Sequence, residues 1–333
     1  SLVYDIEQPK AAVFAEQHGV KAVAREAGEM FAPTGPEVLY ICTPTSSHKS
    51  YYLQAAEAGK QVFIEKPLAF SISDIKEMIR AREKAGIKTQ VGLVLRFEPV
   101  FWFLKQLLEK EKNRLGPLLS FYFRSDQEWP LCGSFHDSAW RSDPEQAFAG
   151  CLFEHSIHDV DLIRYLFGEV EDLSASVRYR SATCAGQIED VAVVNFSMES
   201  GATGNLTTMY HHIKGRDVRR LEIFFERAAI ILDDFKPGDF NQRFRSLTLE
   251  LAGEPVRQFT GEEVDQAYYR HIGSPVLLFP EMVSPYRYQA LAFLEALLGR
   301  REPFPDLQAA LEAHRIIDSV YAYARHRALR VSG

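Results

Sequence analysis

Between positions 154 and 161 the chain reads Glu-His-Ser-Ile-His-Asp-Val-Asp, five ionisable side chains in eight positions with apolar residues on both sides. Groups of these types hold metals, move protons or face water, and their spacing narrows the choice. If 152–167 is helical, Glu154, His158, Asp161 and Tyr165 fall at 0, +4, +7 and +11, within roughly 60° of one another at about 100° per residue. Apolar residues such as Leu152, Ile157, Val160, Ile163 and Leu166 take most of the remaining circumference, so the helix is largely buried and its polar stripe faces a cleft. A carboxylate and an imidazole one turn apart can share an ion, but H-E-x-x-H and H-x-x-E-H are both absent, so no metal is expected. A solvated stripe and a core histidine satisfied by a carboxylate are the bland alternatives. Proton transfer is the reading the pattern favours, with His158 as base and Glu154 holding its tautomer. Asp161 is either a supporting partner or an anchor for the helix.

A second chemical candidate is Lys66, in the run Val-Phe-Ile-Glu-Lys-Pro at 62–67. It follows an apolar strand, at the end where open α/β sheets bind ligands, and Pro67 biases it toward extended backbone. A lone lysine in such a place is by default a solvated charge. Beside a reacting oxygen, an ammonium stabilises a developing alkoxide and lowers the pKa of a neighbouring histidine.

The elements that must position these groups come in two styles. The first hundred residues alternate short apolar runs, at 2–6, 38–44, 61–67 and 89–95, with stretches of period near 3.6 at 47–59 and 73–86. Ser73 and Gly59 sit where a cap and a stop belong, and Ser46 or Ser47 is placed to cap the earlier helix. Near-continuous apolar strands alternating with helices predict a Rossmann-type, doubly wound parallel sheet over 1–100. From 118 onward strand follows strand, with one helical segment near 152–167 and two more closing the chain near 286–299 and 306–327. The second domain, 101–333, is therefore expected to carry a large, mainly antiparallel sheet, covered by helices on one face and open on the other.

Composition excludes several classes. The 333 residues are 46% hydrophobic and 12% aromatic, enough for folded cores, and the net charge of −7 without runs of like charge leaves no nucleic-acid footprint. The longest apolar runs, such as 274–280, fall far below the roughly 18 residues that a membrane span requires. Cys42, Cys132, Cys151 and Cys184 form no C-x-x-C pair and read as reduced thiols of a cytoplasmic protein.

One expected feature is missing. A dinucleotide-binding sheet opens with a strand and a G-x-G-x-x-G turn, and no such motif occurs here. Instead the chain starts with Leu-Val-Tyr-Asp-Ile, a strand ending in Asp5, the residue type that lies about 20 positions beyond those glycines and binds ribose hydroxyls. In the strand order 3-2-1-4-5-6 the missing strand is central, so the sequence is expected to lack about 25–30 residues of a strand–loop–helix unit, the alternative being a degenerate first domain that has shed its cofactor.

Three stretches, VLYICTPTSSH at 38–48, VFIEKPLAFS at 62–71 and AGCLFEHSIHDVDLIRYLFG at 149–168, resemble the glucose–fructose oxidoreductase, inositol dehydrogenase and rhizopine-catabolism family, Gfo/Idh/MocA. The resemblance extends to VGLVLRFEPVF at 91–101, to Trp140–Arg141 and to the closing helices, and departs at the glycine loop and at Glu154, where aspartate is commoner. It implies an NAD(P)-dependent dehydrogenase of sugars, cyclitols or related polyols, with Lys66 polarising the alcohol oxygen, His158 taking its proton and Glu154 orienting the imidazole. It also implies that Thr43, Pro44, His48 and Glu65 line the cofactor with Lys66. Asp5 would bind the adenosine ribose and repel a 2′-phosphate, favouring NAD over NADP. Arg96, Trp140, Arg141 and Asp161 are weaker candidates for the substrate wall, and the family's open sheet suggests a homo-oligomer. Two rival functions stay open on the same scaffold: a non-catalytic NAD or sugar sensor, and NAD-assisted glycoside cleavage.

Overall fold

A computed structural model of the chain describes residues 1–129, 139–180, 186–213, 216–235, 244–273 and 284–328. The apolar run at 274–280, Cys132 and Cys184 lie outside them. The chain divides into two compact units, Ser1–Gly92 with Ala292–Leu311, and Leu93–Leu291 with Glu312–Gly333. The sequence reading kept the whole C-terminal part in the second domain, whereas 292–311 returns to the first unit. There the Val91 amide donates to the Pro305 carbonyl (2.8 Å), Arg82 pairs with Asp306 (3.0 Å), and the Phe293 ring packs against Phe63.

In the first unit, β1 (Leu2–Val3) pairs in parallel with β2 (Ala22–Val23), and β3 (Val38–Ile41), β4 (Gln61–Ile64) and β5 (Thr89–Val91) form a separate parallel sheet in that order. Helices Gln8–His18, Thr45–Glu57 and Ile72–Ala85 supply the crossovers. Val62, Phe63 and Ile64 of the middle strand are all buried, as a sheet packed on both faces requires. The expected caps move by a few residues. Ser71, not Ser73, caps helix Ile72–Ala85 by accepting from the Asp74 amide (3.1 Å). Helix Thr45–Glu57 starts behind Pro44 with no side-chain cap, so Ser46 and Ser47 sit in its first turn instead.

His48 is the clip of this unit. It is 1% exposed, with Nδ1 2.7 Å from the Pro67 carbonyl and Nε2 2.8 Å from the Thr43 carbonyl, tying the turn after β3 to the turn after β4. Burial drives its pKa down to about 4, helped by the Lys66 ammonium and opposed by the two carbonyls. The ring is therefore neutral at pH 7 and donates its one N–H to one carbonyl at a time.

The second unit is built on one eight-stranded sheet. Its strands are β6 (Leu118–Glu128), β7 (Val170–Arg178), β8 (Val191–Met198), β9 (Thr203–His211), β10 (Val218–Phe225), β11 (Ala228–Phe235), β12 (Ser246–Leu251) and β13 (Arg257–Phe259), in the order β13-β12-β11-β10-β6-β9-β8-β7. All neighbours are antiparallel except β6 and β9. Alternation sorts the faces: Phe121, Phe123, Leu206, Leu221 and Ile223 are buried in one core with helices Pro99–Lys110 and Ile157–Phe167, while Tyr122 on the other face is 53% exposed. The sequence reading missed helix Gly261–Ile272, although Thr260 and Glu263 form a capping box at its start. Among the described residues no helix is long and apolar enough to cross a membrane.

Two expectations test this fold. Gly204 lies opposite Phe121 in the parallel pair, and a Cβ there would meet the Phe121 ring at 2.0 Å. Gly204→Ala is expected to lower stability by about 1–3 kcal/mol, read from the urea midpoint. His48 gives a pH signature. A depressed imidazole pKa means that the unfolded chain takes up the proton first, so its contribution is complete above 6.5 and is lost as pH falls through about 4. Urea titrations across this window should show His48→Asn escaping a loss on the order of 3 kcal/mol that the parent suffers.

Candidate active site

The carboxyl ends of β3, β4 and β5 gather the first group of candidates. Thr43 and Pro44 follow β3, and Thr43 Oγ1 is a buried oxygen with no hydrogen-bond partner among the described residues. Glu65 and Lys66 follow β4, with the Glu65 amide donating to the Ile41 carbonyl (2.9 Å) and the Lys66–Pro67 bond cis. Gly92 follows β5, and a Cβ there would meet the Glu65 carboxylate at 2.5–2.7 Å, so the absence of a side chain is what lets that carboxylate lie against the strand end. Gly92 was not singled out in the sequence. Asp5 stands just beyond β1, its Oδ1 accepting from the Glu7 amide (2.8 Å). His48 is brought to the same region, with its two ring nitrogens facing the Pro67 and Thr43 carbonyls, so it ties the two strand-end turns together.

The second unit carries the rest. The helix expected over 152–167 is not uniform: Cys151–His155 is a π turn, closed by the Ser156 amide on the Cys151 carbonyl (2.9 Å), and the α-helix runs Ile157–Phe167. A π turn holds an extra residue, so the angle reckoned from Glu154 at 100° per residue does not apply. Only His158, Asp161 and Tyr165, all within the α stretch, keep their common stripe. Glu154 is 3% exposed and His158 is half-buried. Asp161 accepts two bonds from Arg96, both 2.7 Å, and the same guanidinium lies 5.2 Å above the Tyr165 ring. Asp161 is thus the helix anchor, and Arg96 is the strut that meets it. Trp140 and Arg141 stack on one another at 4.4 Å.

Residues that the pattern did not flag surround the π turn. Burial pushes the Tyr210 hydroxyl well above its ordinary range, and the nearby Glu154 carboxylate adds to that rise while Arg141 opposes it. Arg219, 4% exposed, donates from Nε to Asp159 Oδ1 (2.7 Å) and reaches His155 Nε2 with Nη2 (3.1 Å). Guanidinium has no acceptor, so His155 Nε2 is the accepting nitrogen and the proton sits on Nδ1. Glu189 is completely buried, accepting at 2.6 Å from the Gly150 amide, at 3.1 Å from Leu152 and at 2.8 Å from the Tyr321 hydroxyl. Burial raises its carboxyl above the usual range, and those donors pull the other way. Each of these residues is a lone charge among apolar neighbours in the sequence, with no spacing rule that links it to the 150s.

Comparison with known proteins identifies relatives of the chain. Residues 1–93 match the family model of the oxidoreductase family with an NAD-binding Rossmann fold, and residues 101–231 match the GFO/IDH/MocA C-terminal domain. The chain is 28% identical to an uncharacterized oxidoreductase, YrbE, of Bacillus subtilis, over 71% of this chain and 66% of that protein. It is 29% identical to the scyllo-inositol 2-dehydrogenase (NAD(+)) of the same organism, over 67% and 63% respectively. With the myo-inositol 2-dehydrogenase of Thermotoga maritima it shares 27% over 70% and 67%. The chain thus spans about two thirds of the length of these relatives. In fold it is similar to levoglucosan dehydrogenase in complex with NADH and levoglucosan, with a TM-score of 0.81 at 22% identity over 98% of this chain and 88% of that one. An oxidoreductase from Agrobacterium radiobacter in complex with NAD+, L-tartaric acid and magnesium gives 0.79 at 18% identity over the same shares. The chain belongs to the Gfo/Idh/MocA family of NAD-binding oxidoreductases.

Proposed function

We propose that the protein oxidises a secondary alcohol carbon of a sugar, cyclitol or related polyol, or reduces the matching ketone, with NAD as its partner in the exchange. The observation that carries this reading is the convergence of Thr43, Glu65 and Lys66 at the carboxyl ends of adjacent parallel strands, the ligand-binding end of an open α/β sheet. The residues present fit the cofactor. Thr43 Oγ1 is a buried oxygen awaiting a partner, and the bare Gly92 leaves the Glu65 carboxylate set against the strand end. Thr43, Pro44, Glu65 and Lys66 would hold the nicotinamide half, and Asp5 would bond the adenosine ribose and repel a 2′-phosphate, favouring NAD over NADP. Bound NAD supplies the acceptor or donor of the hydride.

The chain's own groups manage the proton and the charge. Lys66 polarises the alcohol oxygen and stabilises the alkoxide as it develops. His158 removes the hydroxyl proton, and Glu154 orients the imidazole and favours its charged form once the proton has arrived. Asp161 and Arg96 steady the helix that bears His158. The inositol dehydrogenases among the relatives support cyclitols as the first substrates to try.

The test is NADH formation from myo-inositol, scyllo-inositol and levoglucosan. Lys66→Ala and His158→Ala are expected to lower kcat by roughly 10²–10⁴-fold, while NADH binding, followed by fluorescence, persists. Near-parental turnover in both variants would sink the assignment.

A second copy of the chain is the proposed cover for the open face of the second unit's sheet. Tyr122 is 53% exposed there and meets Phe224 edge-on at 6.0 Å. Light scattering should find an oligomer for the parent and a monomer for Tyr122→Glu; a monomeric parent would refute this part.

A further inference from the structure

The π turn that carries Glu154 begins with backbone amides that no carbonyl of its own segment can reach. A helical segment leaves such N–H groups at its start, and buried ones must be met from elsewhere. Here one distant residue meets them all. Glu189 Oε2 accepts from the Gly150 amide (2.6 Å), its backbone carbonyl from the Cys151 amide (3.0 Å), and Oε1 from Leu152 (3.1 Å) and Phe153 (3.5 Å). The next amide, Glu154, already bonds within the segment, to the Gly150 carbonyl (2.8 Å). Tyr321, on helix Leu307–Ala328, donates its hydroxyl to Oε1 (2.8 Å) and holds the carboxylate from the other side.

Two further features show that this contact is built. Gly150 lies so close to the 188–189 backbone that a Cβ would stand 2.0 Å from the Glu189 carbonyl oxygen and 2.4 Å from Ile188 Cγ2. Glu189 itself is completely buried, where a carboxylate survives only if its oxygens are met by donors. Every partner named for those oxygens is a donor, and a negative group at the start of a helical segment is also favoured by its dipole.

We propose that Glu189 is a positioning residue for the alcohol chemistry: by capping the amides of residues 150–153 it fixes the π turn, and through that turn it sets the place of Glu154 and the start of the helix that bears His158. This rests on the assignment of His158 and Glu154 as the proton-handling pair. Glu189 acts through the backbone it holds, not by touching substrate or cofactor.

The experiment compares Glu189→Gln and Tyr321→Phe in the full chain. Gln keeps the shape but turns one acceptor into a donor that faces donors. In Glu189→Gln, hydrogen exchange at the amides of 150–153 should quicken about tenfold or more while the sheet stays protected. The ring nitrogen resonances of His158, assigned with His158→Ala, should shift, and kcat on the best of the three polyols should fall roughly 10–100-fold with the KM for NAD within about twofold. Tyr321→Phe removes one donor and leaves the capped amides, so smaller changes of the same sign are expected. Unmoved His158 resonances with parental kcat in Glu189→Gln would overturn the proposal, as would unchanged exchange at 150–153. Should the parent oxidise none of the polyols, the oxidoreductase reading fails by itself, and exchange together with the His158 resonances decides the positioning role. Should Glu189→Gln fail to fold, the His158 resonances of Tyr321→Phe decide it, a shift supporting the proposal and none overturning it.

Discussion

Buried backbone amides at the start of a helical turn have to find acceptors, and much of the second unit is arranged around meeting that demand at residues 150–153. An unmet buried amide costs about 1–3 kcal/mol, so several together would rival the whole stability of a domain. The Glu189 side chain and carbonyl meet four of them. That solution imposes others: glycine at 150, because the two backbones approach too closely for a Cβ, and a tyrosine at 321 to finish solvating the carboxylate. A π turn is a costly local conformation, and its survival next to the acidic and imidazole groups fits the general tendency of such turns to occur at functional sites.

Polar side chains on the inner face of the sheet complete the grip. Ser156 donates to Thr208 Oγ1 (2.6 Å), Ser125 and Arg219 both reach His155 Nε2 at 3.1 Å, and Arg219 pairs with the fully buried Asp159. A buried pair of this kind gives little net stability, since desolvation offsets most of the attraction. What it does give is direction. Its donors fix the tautomer of His155, and His155 and Asp159 flank His158 in the chain. The apolar core of Phe121, Leu206 and Ile223 supplies stability without specifying rotation, whereas these bonds select one orientation of the segment.

How much of this was legible in the sequence depended on range. Period and turn chemistry located β3, β4, β5 and the helices between them, and the run of strands after 118 announced the large sheet, because each signal lies within about a dozen residues. The three-residue β13 was too short to show a pattern, and helix Gly261–Ile272 was overlooked despite the capping box before it. A motif names Lys66, Thr43 and Glu65, and the structure sets them at the strand ends. The same motif names His48, but only the fold brings the Pro67 and Thr43 carbonyls to its two nitrogens. Glu189, 39 positions from Gly150, and Arg219, 60 from Asp159, were invisible for the same reason. The π turn escaped because 100° per residue was assumed throughout, and an inserted residue leaves the hydrophobic pattern on either side intact.

The two units therefore solve one problem by different means. In the first, a neutral imidazole buried beneath Lys66 fastens two strand-end turns, and its low pKa is what allows it to sit near an ammonium without adding a second positive charge. In the second, a carboxylate buried beneath the π turn fastens the segment that bears Glu154. Each titratable group used as a fastener is fully enclosed and surrounded by backbone partners, whereas Lys66 and His158 are only half-buried. That difference in enclosure agrees with the roles proposed for them. A group that must exchange a proton or polarise a ligand needs access, and a group that must hold the backbone still is best kept from water, where nothing competes for its hydrogen bonds.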